Sequence, residues 1–510
     1  MARHPRVRPF TDATAAESAR GAADSARGRA RQSMSGVRAQ SSDSPALAGP
    51  AERARLSAAP ISIRYGAYAT AILMIAYTFS FLDRQILNLM VGPIEKSLGI
   101  SDAQFALLTG GAFGIFYTVM GLPLGWMADR LNRKWIVSIG IACWSLMTAS
   151  CGLARSFSHL MLARIGVGVG EASLSPSAYS MLSDYFDKAR LPRAMSFYTC
   201  GIFIGAGLAT ILGGAVVTAV EHTPLVALAA FGITRSWQVV FVLVGLPGLG
   251  LALWLSTLRE PVRREQGADS APVARASGGI VTGLGELGAF LSRYPWMSVS
   301  LFLGSALFSI LGYADAWYPE LFIRTWGWTA AHSGWVNGTA SLTAGPLGLL
   351  FAGWCSSRLI AAGRVDACLR LTALGAIGIT LPAIAMPLAP TPLSMALLLL
   401  PLKFFVGFPP VLIPSAIHMA SPNRLRGQLG ALFLFTVGII GVPSGPILPA
   451  LVTDYVFKNP HDLRYALAVS TGMVGPLAFI LLWVGLGQYR RCFDEMARLA
   501  ADGSPQLGTV

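Results

Sequence analysis

Residues 99–134 read GISDAQFALLTGGAFGIFYTVMGLPLGWMADRLNRK, and the chain carries a second, diverged copy of them. Sliding the sequence against itself by 228 positions, without gaps, sets Gly99 over Gly327, Ser101 over Thr329, Ala103 over Ala331 and Gly110 over Gly338. Further on, Gly125 and Trp126 fall on Gly353 and Trp354, and Arg130 and Leu131 on Arg358 and Leu359. Each copy opens on a hydroxyl side chain suited to capping a helix, crosses about 25 mostly apolar residues, and ends in an arginine-bearing turn. The repeat implies two related halves, each a bundle of membrane helices.

Composition agrees. Of 510 residues, 54% are hydrophobic and 13% charged, and the apolar residues come in long runs rather than at amphipathic spacing. Lipid is the expected solvent for most of the chain. A net charge of +14 would suggest nucleic acid in a soluble protein, but here Lys and Arg sit between apolar runs and in the tails, where they set membrane orientation. No nucleic-acid partner is expected. Most of the six cysteines lie inside predicted spans without metal-ligand spacing and read as small apolar fillers.

Residues 1–60 are rich in Ala, Ser, Gly and Arg and are expected to be a disordered basic cytoplasmic tail. Twelve hydrophobic segments follow, at about 66–90, 103–127, 135–153, 158–182, 194–219, 238–256, 297–321, 332–356, 367–388, 393–418, 428–452 and 465–488. They divide the chain into an N-terminal six-helix bundle (61–257), a polar cytoplasmic linker (258–294), a C-terminal six-helix bundle (295–490) and a tail (491–510). Loops rich in Lys and Arg, such as Arg130/Arg133/Lys134 and Arg358/Arg364, all fall on one side, which places both termini in the cytoplasm. Glycines four apart (110 and 114, 121 and 125, 166 and 170, 201 and 205) would let helices approach closely. Prolines 401, 409, 410 and 414 should kink the tenth helix.

The run Gly125-Trp-Met-Ala-Asp129-Arg130-Leu-Asn-Arg133-Lys134 resembles the G-x-x-x-D-R-x-x-R-[RK] signature of the major facilitator superfamily. The resemblance covers residues 60 to 490 or so and implies a secondary transporter that rocks two six-helix halves about a central site. It makes Gly125, Asp129, Arg130 and Arg133 a cytoplasmic gate, in which Asp129 would pair with Arg133 or cap a neighbouring helix; the alternative is that these charges only set topology.

Ionisable residues well inside the spans are costly in lipid and point to use. Asp83 and Arg84 lie in the first segment, Arg164 and Glu171 in the fourth, seven apart and so on one helical face. If these helices share a cavity, two carboxylates and two guanidiniums meet there and offer a proton site; a static salt bridge is the competing reading. In the C-terminal half, Lys403, in LKFFVG, echoes Arg164, in ARIGVG, and Asp315 could face the cavity, whereas Glu320 reads as interfacial.

The pairing of Leu-Asp83-Arg84 with Arg164-Ile-Gly-Val-Gly-Val-Gly-Glu171-Ala-Ser looks like the spinster branch of the superfamily, which implies sphingolipid or lysolipid transport in eukaryotic members and proton linkage in bacterial ones. The resemblance makes Asp83 and Glu171 the proton-coupling residues and Arg84 and Arg164 the headgroup or counter-ion set, which Lys403 joins as the pseudo-symmetry mate of Arg164. Phe81, Tyr117, Phe197, Tyr313, Trp317 and Phe405, with Asp315, are cavity-lining candidates that would suit a small amphiphile, an anionic lipid-like one included. A hydrophilic organic anion or a drug is the rival substrate. No Walker loop, metal-ligand spacing or nucleophile elbow marks an ATPase, a metalloprotein or an enzyme. The expectation is an all-α monomer in a bacterial inner membrane that moves its substrate by alternating access, with protons and no other cofactor.

Overall fold

The computed structural model describes residues 62–187, 190–221, 233–263, 280–422 and 425–501. Among these, all regular structure is helical. The N-terminal half contains α1 (Ile63–Leu89), α2 (Asp102–Ala128), α3 (Arg133–Cys151), α4 in two pieces (Phe157–Glu171 and Leu174–Tyr185), α5 (Leu191–Glu221) and α6 (Ser236–Ser256). The C-terminal half contains α7 (Pro295–Trp326), α8 (Ala330–Ala361), α9 (Ala367–Ala385), α10 (Pro392–Ala420), α11 (Arg426–Phe457) and α12 (Leu463–Val484). Among the described residues ten spans are long and apolar enough to cross a membrane unaided. The other two are α4 and α8. α4 is broken after Glu171 and its first piece carries two charges, Arg164 and Glu171, and α8 is diluted by polar side chains such as Ser333, Asn337 and Ser341. Hydropathy alone undervalues both because their polar faces turn inward.

The sequence repeat is also a repeat of conformation. Gly99 and Gly327 share φ +64°, each ending a short amphipathic helix (Val91–Leu98 and Tyr318–Trp326) in the left-handed region that lacks a penalty only for glycine. Two residues later Ser101 accepts from the Gln104 N–H at 3.3 Å, Gln104 returns its oxygen to the Ser101 N–H at 3.1 Å, and Thr329 accepts from the His332 N–H at 3.2 Å.

The halves meet along α5 against α8 and α2 against α11. At the first seam backbones nearly touch: a methyl group on Gly334 would lie 2.0 Å from the Thr210 carbonyl oxygen, and one on Gly214 2.4 Å from that of Ala330. At the second, Gly110 and Gly114 take Pro443 and Val442. There the helices are wound wider than α over 107–115 and 437–441, a distortion that re-aims side chains. Glycines 166, 170, 201 and 205 make close contacts inside the N-terminal half. The 121/125 pair does not: Gly121 faces open space, and Gly125 has Pro176 at an ordinary 3.8 Å.

α10 breaks at Gly407 and Phe408, ahead of Pro409, and resumes as Pro409–Ala420. The expected tail, 1–60, and linker residues 264–279 lie outside the described residues. The linker's end is a helix, Ile280–Arg293. Residues 486–501 are also helical (Leu486–Ala501), and they dock: Tyr489 donates to the Ala416 carbonyl at 3.0 Å, and Glu495 accepts from Arg293 and Tyr294.

Candidate functional site

α1 and α4 bring together the four intramembrane charges of the N-terminal half, in two layers. In the front layer Glu171, 1% exposed, accepts on Oε2 from Arg84 Nε at 2.7 Å and from the Ser80 hydroxyl at 2.5 Å. Its other oxygen, Oε1, is buried without a partner. The Arg84 side chain, 17% exposed, is enclosed by Phe81, Phe113 and Tyr117, whose ring centres lie 4.5–4.8 Å from its guanidinium carbon. The rings contribute about 0.5–2 kcal/mol each through cation–π attraction and hold the guanidinium plane. In the rear layer Asp83 is buried against α3, where Thr148 donates to Oδ2 at 3.2 Å; Asp83 Oδ1 and Arg164 Nε are buried without partners. Arg164 approaches the Asp83 backbone carbonyl, at 3.5 Å, rather than its carboxylate. Consecutive helical residues point about 100° apart, so Arg84 keeps a partly exposed side while Asp83 turns to α3 behind it.

Across the cavity Lys403 donates to Asp315 at 2.5 Å, a cation–carboxylate pair in the C-terminal half. Between the halves lies a small polar recess lined by Gln85, Thr210, Asp315, Asn337, Ser341 and Lys403 among others. Of the expected aromatic lining, Phe81 and Tyr117 flank Arg84, and Tyr313 lies within electrostatic reach of Arg84 and Tyr117. Phe197 is about half exposed. Two do not belong. Trp317 is 1% exposed and donates to the Pro446 carbonyl at 2.8 Å, which makes it core; Phe405 packs on Gly378 of α9 among Phe404 and Phe408.

The expected gate is built differently from its motif reading. Arg133 is 1% exposed and bonds Asp184, Glu260 and the Ser180 and Pro261 carbonyls, fastening α3 to α4 and to the start of the linker. Asp129 is exposed and makes no ion pair with a described residue, while Arg130 lies over the Trp126 ring. Arg133 has stronger partners within reach, so Asp129 is left at the surface.

The opposite end carries a lock that spans both halves. All five N–H donors of Arg324 are engaged: Nε with Glu320 at 2.8 Å, Nη2 with Glu95 at 2.8 Å and Asp102 at 2.9 Å, and Nη1 with Asp102 at 2.9 Å and the Pro460 carbonyl at 3.1 Å. Asp454 of α11 adds a cross-half cap, accepting from the Ala103 N–H at 2.7 Å at the start of α2. Glu320 is therefore a buried partner, 3% exposed, and not an interfacial charge. Arg324 and Glu95 stand in the two copies of the repeated short helix; that register was the available signal for their meeting.

Twelve membrane helices in two repeated bundles, with buried ion pairs facing a cavity between them, define a polytopic membrane transporter. The Major Facilitator Superfamily profile matches residues 73–446, and the chain belongs to that superfamily. It is 27% identical to an MFS-type efflux pump of Mycolicibacterium smegmatis, over 84% of this chain and 95% of that one. It is also 27% identical to the D-galactonate transporter of Escherichia coli, over 81% and 95%. Among solved structures, a bacterial homologue of the human lysosomal transporter spinster, inward-facing and unoccupied, superposes with a TM-score of 0.67 at 25% identity, covering 85% of this chain and 98% of that one. The chain is thus a membrane transporter of that superfamily, similar in sequence and fold to spinster proteins, and not an enzyme.

Proposed function

We propose that the protein is a proton-coupled carrier of a small organic anion, working by alternating access in a bacterial inner membrane with both termini cytoplasmic. The observation that carries this is Glu171: a buried intramembrane carboxylate, tied to the partly exposed Arg84 through one oxygen and carrying a second with no partner. A proton taken at Oε1 cancels the charge that holds Arg84, and the guanidinium is then free to take an anionic group of the substrate. Asp83 and Arg164 stand behind it, their charged groups not joined in this conformation. The Arg324 cluster closes one end, and breaking it while the Arg133 end closes would carry the site across.

The lining favours a hydrophilic anion over a lipid-like one: the recess is polar, Trp317 and Phe405 are withdrawn from it, and one relative is a galactonate transporter. The three rings around Arg84 and the half-exposed Phe197 support the amphiphile as second reading.

Purified protein in liposomes, given D-gluconate and a lysophosphatidate as probes, should accumulate one of them under a proton gradient. Glu171→Gln should lose accumulation yet keep exchange without a gradient. Full accumulation by both Glu171→Gln and Asp83→Asn would overturn the coupling assignment.

A further inference from the structure

A pocket of about 350 Å³ opens at the α8–α9 turn, wholly within the C-terminal half, and its wall is basic. Arg364 of the turn, Arg370 of α9 and Arg490 of the helix Leu486–Ala501 surround one carboxylate, Asp366. The buried Asp366 accepts on a single oxygen, Oδ2, from Nε and Nη2 of Arg370 at 3.2 and 3.0 Å and from Nε and Nη2 of Arg490 at 3.0 and 2.7 Å. Four donors on one oxygen hold the two guanidinium planes side by side. Each guanidinium has five N–H groups, and the Nη1 groups of both arginines meet no described residue, so they remain to donate. Arg364 is exposed and its side chain makes no hydrogen bond or ion pair with a described residue. Three guanidiniums against one carboxylate leave a surplus of two positive charges on the pocket wall.

We propose that this pocket binds the phosphate of an anionic phospholipid, whose acyl chains lie along the exposed face of α9. Guanidinium forks held in place by a carboxylate match phosphate oxygens in geometry and charge, and the volume lies in the ~300–1,000 Å³ range of small-ligand sites, enough for a glycerophosphate headgroup. The surroundings decide between a lipid and a free phosphate. Leu374, Ile377 and Leu381 follow Arg370 on the same face of α9, at helical spacing, and all three are exposed. Trp483 of α12, also exposed, has its ring centre 5.9 Å from the Arg370 guanidinium carbon, which sets the pocket at the depth where aromatic rings mark the boundary between acyl chains and water. A soluble phosphate would engage the arginines alone, whereas a phospholipid engages both the arginines and the apolar face beneath them. A zwitterionic lipid carries its own cation into the same surplus of positive charge and is disfavoured. The bound headgroup ties the α8–α9 turn to the helix Leu486–Ala501, and none of this depends on the transported substrate or on proton coupling.

Native mass spectrometry of the purified full chain tests this by titration with phosphatidylglycerol, phosphatidylcholine and inorganic phosphate, read at the first molecule bound. Phosphatidylglycerol is expected to bind at least about five-fold more tightly than phosphatidylcholine. Arg364→Gln and Arg490→Gln should each weaken it by about five-fold, the effect of one basic residue beside an anionic headgroup, and leave phosphatidylcholine unchanged. Arg364→Gln removes a side chain without a partner among the described residues, so it keeps the test valid if Arg490→Gln fails to fold. Arg155→Gln, at an exposed arginine between α3 and α4, is the control for charge alone and should alter neither lipid. Inorganic phosphate should not displace phosphatidylglycerol. Phosphatidylglycerol binding no tighter than phosphatidylcholine, an affinity unaltered in Arg364→Gln, an equal loss in Arg155→Gln, or displacement of the lipid by inorganic phosphate would each overturn the proposal.

Discussion

Arg84 and Arg133 illustrate two uses of a buried guanidinium. Arg84 is planar against three rings and bonded to Glu171 through Nε, so Arg84→Lys keeps the charge but loses both the stacking and the fork. Transport should fall at least ten-fold while the melting temperature changes little, as flux and thermal unfolding would report. Arg133, by contrast, is a fastener: removing it leaves Asp184 and Glu260 facing each other with two carbonyls unserved, so Arg133→Ala should destabilise the chain by about 3–5 kcal/mol, read as a lowered melting temperature. Asp83, Arg84, Arg164 and Glu171 were legible in the sequence because a charge in an apolar run stands out. Ser80, Thr148, Gln85 and Asn337 were not, since hydroxyls and amides occur in any span and only packing decides which ones face a charge. Trp317 and Phe405 were misread for the same reason: aromatic residues are apolar on either side of a helix.

Among the helices, glycine contacts distinguish seams that must stay shut from seams that must part. A methyl group on Gly348 of α8 would lie 1.8 Å from the Phe404 carbonyl oxygen of α10, inside the C-terminal half. On Gly334 it would meet Thr210 across the halves. Gly348→Ala should therefore cost about 1–3 kcal/mol of fold stability by overpacking. Gly334→Ala should leave the melting temperature within a few degrees but raise the alkylation rate of a cysteine placed at Ala331. The repeat, the caps at Ser101 and Thr329 and the proline break in α10 could be read from the sequence, because each depends on local chemistry. Which glycine pairs cross between halves could not; that depends on how bundles dock, and the 121/125 pair proved to face open space.

For the molecule as a whole, the Arg324 cluster sets three carboxylates around one cation. Burial pushes the Glu95 carboxyl up to about 9, Arg324 opposing and the neighbouring Asp102 and Glu320 reinforcing the rise. When the end opens, Glu95 meets water and returns toward the ordinary carboxylate range, so the closed form holds the extra proton. Closure is thus fully supported below that ordinary range and progressively loses support as pH rises through about 9. The alkylation rate of a cysteine at Ala331, normalised to the unfolded chain at each pH, should rise between pH 7 and 10, and Glu95→Gln should flatten the profile.

The most direct test places spin labels at both ends of the same protein, with native cysteines replaced: Lys96→Cys with His461→Cys at the Arg324 end, and Leu131→Cys with Ala361→Cys at the Arg133 end. Double electron–electron resonance distances for the two pairs, recorded across pH in wild type and in Glu171→Gln, should move in opposite directions, with the substitution shifting the balance between the two populations. Distances that stay fixed at both ends, or that lengthen together, would contradict a carrier that alternates under the control of its buried carboxylate.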